Sequence, residues 1–147
     1  MAADHYIRDV KGFKHSFKLA GETSVKNKKI VLIGVELDYS ATGFGYIQKG
    51  ELIDDNLSVF NVSSFKEKPN YQTASKYVKS GQYLWNCGYF VGSIAVFERE
   101  MEQYSKKLFI NYQTLKNNHN ESYLNFENIS IDYALIEKVK GLLIVLA

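Results

Sequence analysis

Proline is nearly missing from this chain. Pro69 is the only one among 147 residues, so the stretch it closes, Ser64-Phe65-Lys66-Glu67-Lys68-Pro69, is a marked place. Cysteine is as scarce: Cys87 alone rules out an internal disulfide and fits a reducing compartment. There is no apolar run of the roughly 20 residues that a membrane-spanning helix needs. The N-terminal MAADHYIRD carries charges where a signal peptide has its apolar core, so the chain reads as cytoplasmic. Net charge is slight, with 18 basic against 16 acidic residues and no basic cluster. That balance points away from nucleic-acid and membrane partners. The Asn-X-Ser triplets at Asn56, Asn61, Asn120 and Asn128 are chance matches in an asparagine-rich chain without an export signal.

What is present suits one folded domain: 46% hydrophobic and 14% aromatic residues over a length that can bury a core. Asp9 before the spacing Val10, Phe13, Phe17 predicts an N-capped helix to about Leu19. Residues 29–35 form a nearly continuous apolar run, the pattern of a strand buried on both faces. A glycine-rich bend at 41–47 enters a short strand, and 57–65 alternates as another. Asn70 caps a helix over 71–80 that Gly81 stops. Residues 83–97 read as an aromatic strand, 98–108 as an amphipathic helix, and 111–125 as a loop or a poorly packed helix. Ile131, Ala134 and Leu135 give a helix over 129–139 its apolar stripe, and 141–147 is a buried-strand pattern. Alternating strands and helices predict an α/β sheet. Both ends look cut, so an exposed sheet edge and an uncovered core face are expected to favour self-association.

Several short stretches admit two readings. Asp4, before the first helix, stands where open α/β sheets place ligand groups, or it merely shapes a turn. Thr42-Gly43-Phe44-Gly45-Tyr46 lets a backbone approach a ligand closely, or is a plain tight turn, and it lacks a phosphate-loop pattern. Glu67 beside Lys68 would suit sugar hydroxyls and a phosphate, or form a solvated charged turn. Strand neighbours point to opposite faces, so the pair acts together only if the strand ends there. Pro69 enforces such an end and biases Lys68 to extended geometry. Asn86 in Trp85-Asn86-Cys87-Gly88 suits a sugar diol, or is a satisfied amide at a bulge. Cys87 has no neighbouring base, which speaks against a nucleophile.

In order, Ala3-Asp4-His5, Thr42 to Ile47, Phe65 to Pro69, Trp85 to Phe90, and Ser130-Ile131-Asp132-Tyr133-Ala134 with Glu137-Lys138 resemble the mannose-1-phosphate guanylyltransferases over essentially the whole chain. The resemblance implies a Rossmann-like nucleotidyltransferase sheet flanked by helices, and transfer of GMP from GTP to mannose 1-phosphate with Mg²⁺. By motif it implies metal binding at Asp4 and a backbone contact to mannose at Gly45. It further implies hydroxyl acceptance at Glu67, a cation on the sugar phosphate at Lys68, and another sugar contact at Asn86. Asp132 matches a motif residue of unassigned role. The family usually has proline at Ala3 and serine at Cys87. Its glycine-rich signature, with the arginine that grips the triphosphate, and its later Trp-x-Asp-x-Gly segment have no counterpart in these residues. The chain is therefore expected to be a central portion with little activity alone, met by a complementing chain. The alternative is a non-catalytic sugar-phosphate-binding or interaction module.

Overall fold

The computed structural model describes residues 6–55, 57–117 and 122–147. Two compact units make up the chain: Met1–Gly92 together with Gly141–Ala147, and Ser93–Lys140. The first holds helices α1 (Val10–Asn27) and α2 (Tyr71–Ser80) and strands β1 (Val31–Glu36), β2 (Gly45–Asp54), β3 (Val59–Lys66), β4 (Tyr83–Val91) and β5 (Leu143–Leu146).

Helix α1 starts where Asp9 accepts hydrogen bonds from the Lys11 and Gly12 amides, each 3.0 Å long. It runs well past the expected end at Leu19. Gly21 costs such a helix about 1 kcal/mol, and burial of Ala20, Thr23 and Ser24 carries it through. Lys28, left-handed at φ 53°, ends it by donating its N–H to the Ser24 carbonyl. Helix α2 has its expected bounds, with Asn70 accepting from the Thr73 amide at 2.9 Å and Gly81 left-handed at φ 65°.

The sheet is mixed: β1 pairs parallel with β5 and antiparallel with β4, and β2 pairs antiparallel with both β4 and β3. β5 also pairs antiparallel with β3. Among the described residues each strand thus has a partner on either side for part of its length. The double burial expected of β1 is observed, with Val31, Leu32 and Ile33 at most 1% exposed. On one side of the sheet Val31, Ile33, Tyr89, Leu143 and Val145 pack with Leu19 and Ala20 of α1. Each fully buried aliphatic side chain of that kind contributes about 1.5–3 kcal/mol. A second cluster joins Ala41, Tyr46, Trp85 and Ala74 of α2.

The second unit holds α3 (Ile94–Tyr104), α4 (Lys106–Asn117) and α5 (Ile131–Ala134). Two expectations change here. The aromatic strand stops at Val91, since Ser93 accepts from the Val96 amide at 3.3 Å and caps α3. The single amphipathic helix splits at Ser105, whose φ of −148° breaks the helical backbone. The helix expected over 129–139 is α5 followed by a 3₁₀ turn at Ile136–Lys138, broken at Leu135 with φ −136°. That break buries Ala134, Leu135 and Ile136 in succession while Ile131 stays 40% exposed. A continuous helix turns about 100° between neighbours and would not bury three in a row. None of the helices among the described residues is long and apolar enough to cross a membrane.

Candidate functional site

The start of β2, the end of β3 and the middle of β4 meet at one end of the sheet. Gly45 and Asn86 are direct partners across β2 and β4, and Tyr46 pairs with Lys66, the last residue of β3. Glu67 is the next residue, and its side chain is only 13% exposed. Its Oε2 is buried and sits where a side chain on Gly45 would begin. A Cβ there would overlap the carboxylate and lie 3.3 Å from Asn86 Cβ and 3.4 Å from its Nδ2. Three of the residues singled out in the sequence, Gly45, Glu67 and Asn86, thus converge on one point.

Lys68 joins them by a backbone device. It is not extended, as the following proline would favour, but left-handed at φ 41°. With β3 ended at Lys66, this turn cancels the strand alternation that would send Glu67 and Lys68 to opposite faces. The Lys68 ammonium stands 3.8 Å from Glu67 Oε1, with its side chain 61% exposed. The exposed lysine end limits what the pair contributes, and a left-handed non-glycine residue costs about 1–3 kcal/mol. A cation held at the mouth of a buried carboxylate is an arrangement that can receive a ligand bearing both hydroxyls and a negative charge.

Asn86 stands at a bulge. Leu32 pairs with Phe90 but Gly34 pairs with Asn86, so β4 carries extra residues at Cys87–Tyr89 opposite Ile33. Gly88 takes φ 72° there and donates its N–H to Asn86 Oδ1 at 3.0 Å. The bulge with a satisfied amide is therefore present, and it fixes the side chain of Asn86 beside Gly45. Burial pushes the Cys87 thiol above its ordinary pKa, the opposite of what a nucleophile needs.

The sequence reading missed an aromatic wall. Tyr39 and Phe44 pack edge-on against Trp85 at 4.8 and 5.5 Å between ring centres. Trp85, Phe44, Cys87, Phe13 and Tyr89 line a cavity of about 590 Å³, with Arg8 also at its wall. The signal was the clustering of aromatics around the two glycine-bearing stretches, which period-two counting passes over.

Asp4 and His5 lie outside the described residues. Among the described residues no group of three His, Cys, Asp or Glu side chains is placed to hold a metal ion. Asp132 lies in the first turn of α5, in the second unit.

A family model described as Nucleotidyl transferase matches residues 1–130. The chain belongs to that family. Within it the chain is of the sugar nucleotidyltransferase kind. It is 32% identical over 152 residues to a mannose-1-phosphate guanylyltransferase of Escherichia coli, a match covering 95% of this chain and 32% of the relative. It is 31% identical to the mannose-1-phosphate guanylyltransferase RfbM of Salmonella typhimurium over 155 residues, 99% of this chain and 32% of that one. A solved structure described as mannose-1-phosphate geranyltransferase, from Thermus thermophilus, matches with a TM-score of 0.88 and 26% identity, over 97% of this chain and 42% of its own. The chain spans about a third of the length of the curated relatives it matches.

Proposed function

We propose that this chain carries the sugar-phosphate side of a mannose-1-phosphate guanylyltransferase. One observation carries the reading: Gly45, Glu67 and Asn86 converge at the sheet end where a left-handed Lys68 presents its ammonium. In this reading Glu67 accepts hydrogen bonds from the mannose hydroxyls, Asn86 and the Gly45 backbone hold the ring, and Lys68 holds the phosphate. A phosphate oxygen of mannose 1-phosphate attacks the α-phosphorus of GTP as the bond to the β-phosphate oxygen breaks. GDP-mannose forms and pyrophosphate leaves. Such a reaction depends on positioning and charge, and fixing one reactant is a large share of it. Asp4 would meet the divalent ion that offsets phosphate charge.

All the described residues assigned a role lie on the sugar side, so the proposal includes little turnover by the 147 residues alone. A partner chain supplying the nucleotide side would restore it. Calorimetric titration of the chain with mannose 1-phosphate, against mannose and inorganic phosphate, tests the reading. Binding that needs both halves of the ligand and falls at least tenfold in Lys68→Met supports it. No binding, or equal binding of inorganic phosphate by wild type and Lys68→Met, overturns it. Steady pyrophosphate release from GTP, Mg²⁺ and mannose 1-phosphate by the pure chain would overturn the restriction to half a site.

A further inference from the structure

Gly45 has a neighbour that its proposed part in sugar binding does not explain. The void left by its missing side chain is filled by the carboxylate of Glu67, which a Cβ would overlap, while Asn86 Cβ closes the other side at 3.3 Å. Gly45 does not have the positive φ that would call for glycine on conformational grounds. What singles the position out is therefore space, and the space belongs to Glu67.

From this we infer that Gly45 is a positioning residue. By having no Cβ it seats the Glu67 carboxylate against β2, and so fixes where Glu67 Oε1 meets the Lys68 ammonium. The inference rests on the sugar-phosphate reading for its functional consequence, but not for its geometry. The closest atom is the far end of a flexible side chain, so a methyl at 45 chiefly moves the carboxylate, while Asn86 Cβ at 3.3 Å has to yield by only a few tenths of an ångström. Gly34 differs. A Cβ there would lie 2.9 Å from Leu84 Cβ, an atom tied directly to the backbone of β4. A glycine serving the fold and a glycine serving a side chain are thus distinguishable in one protein.

The test uses the full 147-residue chain with ¹³C-labelled glutamate, the Glu67 carboxyl resonance being assigned by its loss in Glu67→Gln. Gly45→Ala is expected to melt as cooperatively as wild type, to shift the Glu67 resonance, and to weaken mannose 1-phosphate binding about tenfold. In a Glu67→Gln background the same alanine should weaken binding further by less than twofold, since the group it displaces is already altered. An unmoved Glu67 resonance overturns the inference, and so does a loss that adds in full to that of Glu67→Gln. Should Gly45→Ala fail to fold, Gly45→Ala with Glu67→Asp, whose carboxylate is one methylene shorter, should fold. Its failure too would make Gly45 a fold residue and overturn the inference. Absence of mannose 1-phosphate binding by wild type would count against the sugar-phosphate reading alone, because the resonance still decides the role of Gly45.

Discussion

The Lys68 ammonium lies 3.8 Å from Oε1 of Glu67, its neighbour in sequence, because Lys68 turns left-handed at φ 41° just after β3 has ended. Adjacent residues in a strand cannot serve one ligand together. Adjacent residues at such a turn can.

That turn sets stability against binding. Lys68→Gly removes the left-handed penalty, less the entropy a glycine loses on folding, so stability should be unchanged or rise by up to about 1 kcal/mol. Affinity for mannose 1-phosphate should fall about tenfold. Urea unfolding and calorimetry on the same sample check both signs. A drop in stability would mean that Lys68 is held by contacts rather than strained by its backbone.

Gly34→Ala should destabilise by about 1–3 kcal/mol through overpacking. Its Cβ would meet Ile144 Cδ1 and Leu84 Cδ1 at 2.7 Å, inside a core where both residues are at most 1% exposed. A shift in urea midpoint at constant slope would report it. The comparison with Gly45→Ala, expected to be much milder, is the sharper measurement.

Tyr46 is fully buried and donates its hydroxyl to the Ala41 carbonyl at 2.6 Å. Tyr46→Phe keeps the ring but strands that carbonyl, at a cost of about 1–3 kcal/mol. Faster amide exchange across residues 41–45 should accompany the loss. Unchanged exchange there would detach the loop before β2 from this bond.

Glu98 accepts from Tyr112 at 2.8 Å and from Lys116 at 3.3 Å, linking α3 to α4. The Tyr112 bond first, and Lys116 next, hold its carboxyl below the ordinary 4.5. The same bond lifts the Tyr112 phenol above 10.0. A lowered carboxyl pKa stabilises the folded state above the unfolded value and loses that contribution as pH falls through the folded one. The α3–α4 contact should therefore loosen as the pH falls below the ordinary carboxyl value of 4.5, and Glu98→Gln should abolish this dependence. Carboxyl NMR titration giving Glu98 an ordinary pKa would refute the link.

Local rules made much of the fold legible. Asp9, Asn70 and Gly81 marked helix ends because capping is a matter of a few neighbouring residues, and the apolar run 29–35 marked a buried strand because it needs no partner to be seen. The extension of α1 past Gly21 was not legible, since it depends on burial of Ala20, Thr23 and Ser24 by distant strands. Nor was the break at Leu135. At the site, Gly45, Glu67, Lys68 and Asn86 could be named singly. Their meeting was implied only by the family resemblance, and its geometry was not legible, because it follows from strand register and from a φ that the proline at 69 argued against.

Ser93–Lys140 interrupts the sheet in sequence, and β5 arrives only after it. Val31 pairs with Leu143, far along the chain. On a ribosome adding about 5–20 residues per second, β1 emerges many seconds before its parallel partner exists. Non-local parallel pairing is also intrinsically slow. The nascent chain must therefore carry β1, whose first three residues are buried in the folded protein, half-paired through the synthesis of the whole second unit. That interval is when this protein is most exposed to misassembly, and when a chaperone would matter to it most.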